Sequence, residues 1–128
     1  MKGKIKVKLL FLLILGSMSW LASCKNKNAS ILKVYVRSGS NELIEGATVV
    51  VIGDQSSNPP TLAYTDTAIS NPSGYAEINM QPYFDLAGEK TNPTGYFDIV
   101  TKKGTKEGEG SVRCRVHITA VETVYFPN

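Results

Sequence analysis

Ile31-Leu32-Lys33-Val34-Tyr35-Val36-Arg37 alternates strictly, with Leu32, Val34 and Val36 on one side of an extended chain and Lys33 and Arg37 on the other. This is the pattern of a strand that lays one face on a core. Working outward from it, Ser38-Gly39-Ser40-Asn41 has turn chemistry, and Ala47-Thr48-Val49-Val50-Val51-Ile52 is a β-branched run stopped at Gly53-Asp54. Residues 55–60 end in paired prolines, which lack donors and cannot enter a ladder. Thr61 to Ala68 resumes strand composition. Asn71-Pro72-Ser73-Gly74 is a dense turn signal, and Tyr75-Ala76-Glu77-Ile78-Asn79-Met80 alternates again.

Residues 81–94 read either as one helical turn after Pro82 or as an irregular crossover. Tyr96 to Val100 is a strand, and residues 104–110, polar and glycine-rich, read as a hairpin loop. Ser111 to Phe126 reads as nearly continuous strand. It places Val112, Cys114, Val116, Ile118 and Ala120 inward and Arg113, Arg115, His117 and Thr119 outward, with a bend near Ala120-Val121-Glu122. Six or seven short strands with glycine and proline turns, and no long helix, predict an all-β antiparallel sandwich over residues 31–128.

Ahead of this domain, Lys2, Lys4, Lys6 and Lys8 precede the apolar block Leu9-Leu10-Phe11-Leu12-Leu13-Ile14-Leu15. The block is too short for a lasting membrane span, which needs roughly 20 apolar residues, and has the shape of a secretory signal over residues 1–23. Leu21-Ala22-Ser23-Cys24 resembles the bacterial lipobox. That resemblance implies cleavage before Cys24, acylation of its thiol and new amine, and lasting attachment to membrane lipid. Residues 24–30 read as a flexible polar tether. In an envelope with two membranes, Lys25 after the cysteine favours the outer membrane by the same resemblance. The periplasmic face is the first expectation and cell-surface display the alternative.

Cleavage also changes the charge argument. All 14 basic residues against 11 acidic give +3, but four lysines and no acidic residue precede residue 24, leaving 10 basic against 11 acidic. No basic face for nucleic acid is indicated. With Cys24 lipidated, Cys114 is left alone and reads as a small inward hydrophobe rather than a nucleophile.

Several turn signatures follow one another from residue 32 to residue 78: Gly46-Ala47-Thr48-Val49, then Thr65-Asp66, then Gly74-Tyr75-Ala76-Glu77-Ile78. Their order resembles that of carboxypeptidase-regulatory-like, transthyretin-related sandwiches, apart from the longer stretch Thr67 to Ser73. The resemblance implies an Ig-like or transthyretin-like sandwich used as a binding or scaffolding module in envelope proteins. It implies no catalytic residue.

The chain offers little chemistry of its own. His117 is its one histidine, and Asp54, Asp66, Asp85, Glu89 and Asp98 are scattered without a calcium-loop spacing, so neither a metal nor a cofactor is expected. No paired carboxylates, triad order or phosphate-binding glycine loop occurs, and the expectation is a protein that is not an enzyme. Aromatic residues are the better candidates. Tyr83 and Phe84 in the irregular segment, with Tyr64 and Asp66 beside the Thr67 to Ser73 loop, are the predicted binding residues. The function expected is a cell-envelope lipoprotein whose sandwich binds an envelope protein. The alternative is a glycan-binding or adhesive module.

Overall fold

The computed structural model describes residues 28–127; the expected signal segment and the lipobox-like stretch ending at Cys24 lie outside the described residues. Seven strands and one short helix follow in order: β1 (Ile31–Arg37), β2 (Thr48–Gly53), β3 (Thr65–Ile69), β4 (Tyr75–Asn79), α1 (Gln81–Ala87), β5 (Thr94–Lys103), β6 (Lys106–Arg115) and β7 (Thr119–Tyr125). They form a β-sandwich of two sheets, β4-β1-β7 and β3-β2-β5-β6. Each neighbouring pair is antiparallel except β1 and β7, which run parallel from Ile31↔Thr119 to Arg37↔Tyr125. Parallel neighbours need a long connection between them. Here almost the whole domain is that connection.

The alternation in β1 does what its pattern dictates: Leu32, Val34 and Val36 are fully buried. They meet Val49 and Val51 of β2, Ala76 and Ile78 of β4, Phe97 and Ile99 of β5, and Val124 of β7 in one core. Each such aliphatic side chain removed from water contributes about 1.5–3 kcal/mol. Cys114 also faces this core, and burial pushes its thiol up to about 12.

Four local expectations are corrected. The hairpin loop is much shorter than residues 104–110, because β5 and β6 pair as far as Lys103↔Lys106 and only Gly104-Thr105 turns. Gly108 and Gly110 are strand residues facing β7; a Cβ on Gly108 would lie 2.7 Å from the carbonyl oxygen of Tyr125. Gly108 marks a close approach of two backbones, and Gly110 leaves room for the Val124 side chain.

The long C-terminal strand breaks at residues 116–118, earlier than expected. His117 takes a left-handed φ of 62° there, and the chain leaves the four-stranded sheet for the three-stranded one. Ile118 is therefore exposed instead of inward. Regular pairing of β3 begins only at Thr65, because the Thr61 hydroxyl accepts the Tyr96 N–H at 2.8 Å and holds that stretch out of the ladder. At the other end of β3, Thr67–Ile69 remain paired, so the expected Thr67 to Ser73 loop shrinks to the turn after Ile69.

The registers also define two ends. The starts of β1, β3, β5 and β7 lie at one end with the finishes of β2, β4 and β6. Residues 28–30, α1 and the 116–118 turn share that end. The turn before β4, the β5–β6 turn and Phe126 lie at the other.

Candidate binding face

The expected aromatic pair is not on the surface. Tyr83 and Phe84 are fully buried on α1, which carries Pro82 in its first turn and crosses from one sheet to the other beneath the open end of the sandwich. Their rings meet edge to face at 5.2 Å, Tyr83 meets Phe97 at 4.9 Å, and Tyr64 meets Tyr83 at 5.5 Å. Such geometry suits the ring quadrupoles and closes the end as a plug. The Tyr83 hydroxyl accepts the Leu62 N–H at 3.3 Å, which gives the buried phenol a polar partner. The reading of Tyr83 and Phe84 as recognition residues is corrected accordingly: they are core.

Tyr64 and Asp66 lie beside this plug. Both have inward strand parity but sit half-buried, because β3 is an edge strand. Burial, then the negative charge of Asp66 and a hydrogen bond to it, push the Tyr64 phenol above its ordinary range. Asp66 also accepts the Thr67 N–H at 2.8 Å. An inward-leaning carboxylate on an edge strand discourages pairing with another chain. Of the four candidate residues, the structure thus gathers Tyr64, Tyr83 and Phe84 into one aromatic cluster, fully buried at Tyr83 and Phe84 and half-buried at Tyr64, and sets Asp66 at its rim. The 55–60 loop is likewise folded onto itself: the Ser57 hydroxyl donates to the Asp54 carbonyl at 2.8 Å and accepts the Thr61 N–H.

The exposed aromatic surface is elsewhere, on the outer face of the three-stranded sheet. Strand parity turns Lys33, Tyr35 and Arg37 of β1 outward, with Tyr75 and Glu77 of β4 and Val121, Thr123 and Tyr125 of β7. Register places Tyr35 between Tyr75 and Thr123, and Lys33 between Glu77 and Val121. The Tyr35 and Tyr75 rings lie 5.3 Å apart at 51°, and the Lys33 ammonium stands 5.2 Å from the Tyr75 centroid. Val121 and Tyr125 are more than half exposed. The Arg37 guanidinium is steadied by the Asn41 carbonyl at 3.1 Å. The face combines tyrosine, arginine and an exposed aliphatic residue on rigid strands, a composition enriched at protein interfaces. Parity within each strand already turned Tyr35 and Tyr75 outward. What the sequence did not show was that β1 and β4 are neighbours.

Among the described residues, no group of three or more His, Cys, Asp or Glu could hold a metal ion. His117 is tied into a polar cluster at the α1 end of the domain. Its Nδ1 lies 2.7 Å from the Asn28 carbonyl, and its Nε2 lies 3.5 Å from Glu89. Ser30 is buried at the same place. Its hydroxyl donates to Gln81 at 2.9 Å and accepts the His117 N–H at 2.7 Å. The last residues of the expected tether are thus held on the domain.

No known sequence family matches the chain, and no curated protein matches it. Among solved structures, it is similar to the Bacillus anthracis TIE protein at 15% identity and a TM-score of 0.50, over 79% of this chain and 17% of that one. It is also similar to chlorocatechol 1,2-dioxygenase from Pseudomonas putida at 13% identity and a TM-score of 0.47, over 83% of this chain and 63% of that one. The chain therefore spans less than two thirds of either protein. The first likeness shows an all-β sandwich fold and nothing further. The second is an enzyme; the expectation that the chain is not an enzyme is withdrawn, because fold does not decide function and a sandwich gives no ground for excluding catalysis. At that TM-score it assigns no activity either.

Proposed function

We propose that this chain is a lipid-anchored protein of the bacterial cell envelope that holds another envelope protein against the outer face of its three-stranded sheet. The anchor rests on Leu21-Ala22-Ser23-Cys24 behind a basic and then apolar leader. The address that follows is the outer membrane, on its periplasmic face, with surface display as the alternative. The sandwich architecture is compatible with the carboxypeptidase-regulatory-like resemblance and with the scaffolding use it implies.

The observation that carries the binding reading is the Tyr35–Tyr75 pair with Lys33 against it. Two tilted, half-buried rings with a cation beside one of them offer no flat platform for a sugar ring, but they suit a protein surface. The more open ring of Tyr125 is what favours a glycan instead.

Co-purification from solubilised membranes separates the two. The protein reading expects a stoichiometric membrane-protein partner that is lost from Tyr35→Ala/Tyr75→Ala. Retention on polysaccharide that disappears in Tyr125→Ala, with no protein partner, overturns it in favour of the glycan reading.

A further inference from the structure

The end of the sandwich that carries residues 28–30 displays three large aliphatic side chains from three separate connections. Leu62, between β2 and β3, is 46% exposed; Leu86, on α1, is 66% exposed; Ile118, in the β6–β7 turn, is 48% exposed. None of them hangs on a loose loop. The Leu62 N–H is held by the Tyr83 hydroxyl, and Leu86 is three residues from buried Tyr83 on the same short helix. The Ile118 carbonyl accepts the Ile31 N–H at 3.3 Å, and its own N–H donates to Arg115. Leu43 and Ile69 are exposed at the opposite end as well, so exposure alone does not single this end out; the chain leading to it does.

The acidic groups of this end each have a hydrogen-bond or charge partner within the protein. Gln81 Nε2 donates to Asp85 at 2.9 Å and to Glu89 at 3.0 Å, Glu89 faces His117, and Asp54 accepts the Ser56 N–H at 2.9 Å. Lys90, in the α1–β5 connection, and Arg115, at the end of β6, are exposed.

What covers this end follows from the length of chain leading to it. Asn28 is clasped by His117 and Ser30 is buried, so the chain is fixed to the domain from residue 28 onward. Three residues separate Asn28 from Cys24. At no more than ~3.6 Å per residue, an acylated Cys24 holds this end within roughly 15 Å of the lipid. We infer that the end bearing Leu62, Leu86 and Ile118 rests on the bilayer, so that the domain is seated on the membrane instead of swinging above it. The inference rests on the lipid-anchor reading and specifies the posture that the anchor imposes. The sheet faces then stand upright beside the membrane, which leaves the Tyr35–Tyr75 face open to a neighbouring envelope protein.

The test uses the full chain, purified with its lipid from membranes and reconstituted in phosphatidylethanolamine–phosphatidylglycerol vesicles. Single variants Leu62→Cys, Leu86→Cys and Ile118→Cys, with Ser73→Cys at the opposite end as reference, are labelled with an environment-sensitive fluorophore. Cys114 is buried and its thiol stays protonated, so it does not compete for the label. Nitroxide-bearing lipid should quench the three labels several-fold more than the label at Ser73. Flotation of the same samples separates the two ideas. Chains that float with the vesicles but show equal, weak quenching at all four positions overturn the seated posture and leave the anchor standing. Chains that do not float overturn the anchor and the posture with it.

Discussion

Gly108 of β6 lies so close to Tyr125 of β7 that a single added carbon would come within 2.7 Å of the Tyr125 carbonyl oxygen and 2.9 Å of the Thr101 hydroxyl. These strands belong to different sheets, and their contact closes one side of the sandwich. Gly108→Ala must part them or bend β6. The expected cost is about 1–3 kcal/mol, as for other overpacked sites, read as a lower urea midpoint with the same slope. An unchanged midpoint would show that the two strands have room to move apart.

Removing the aromatic plug should cost more. Truncating one buried aromatic side chain costs about 3–5 kcal/mol, and Tyr83→Ala/Phe84→Ala removes two that touch. Against a total stability of roughly 5–15 kcal/mol, the double variant should lose its cooperative thermal transition by circular dichroism. A well-folded double variant would return both residues to the list of surface candidates.

Ser30 holds two partners at once. Ser30→Ala leaves the His117 N–H and Gln81 Oε1 short of a hydrogen bond at a buried point, a loss of about 1–3 kcal/mol. Hydrogen exchange should also speed up at the His117 amide while core amides in Val34 and Val49 keep their protection. Uniform loss of protection would argue against a local role.

Cys114 sets a pH dependence. Its thiol titrates near 12 in the folded chain and near its ordinary value when unfolded. The folded state therefore keeps a proton that the unfolded state gives up. Stability from this group is full below about pH 9 and declines as pH rises toward about 12. Urea melts between pH 8 and 11 should show that decline, and Cys114→Ala should reduce it. At pH 8 the native domain should also leave Cys114 unlabelled by thiol reagents while urea-unfolded chain reacts.

Processing is the fifth expectation. Mass spectrometry of the membrane-bound protein should find a lipidated chain beginning at Cys24, and Cys24→Ala should abolish lipid attachment. An unmodified Cys24 in wild-type membranes would remove the anchor from the account.

The strands that alternate cleanly were legible because parity alone assigns their faces. Leu32, Val34 and Val36 could point only one way once one of them was buried. Glycine misled where its reason was non-local: Gly108 reads as a loop residue unless the Tyr125 carbonyl across the gap is known. Tyr83 and Phe84 misled for a related reason. Whether two aromatics plug an opening or decorate a surface depends on which sheets their helix connects, and that is decided by pairings far away in sequence. The break at His117 left no strong signal, since no glycine or proline marks it between Ser111 and Phe126. The Tyr35–Tyr75 face was half legible: each ring's direction follows from its own strand, but their proximity does not.

The parallel pairing of β1 with β7 also gives the domain a mechanical character. One strand begins close behind Asn28 at one end, and the other finishes just before Phe126 at the opposite end. A pull applied between those two points runs along both strands, while the hydrogen bonds joining them lie across the line of force. Seven residue pairs, from Ile31↔Thr119 to Arg37↔Tyr125, would have to slide together before any one could open alone. Stretched between those two points, the domain meets tension in shear, the direction in which a pair of strands yields last.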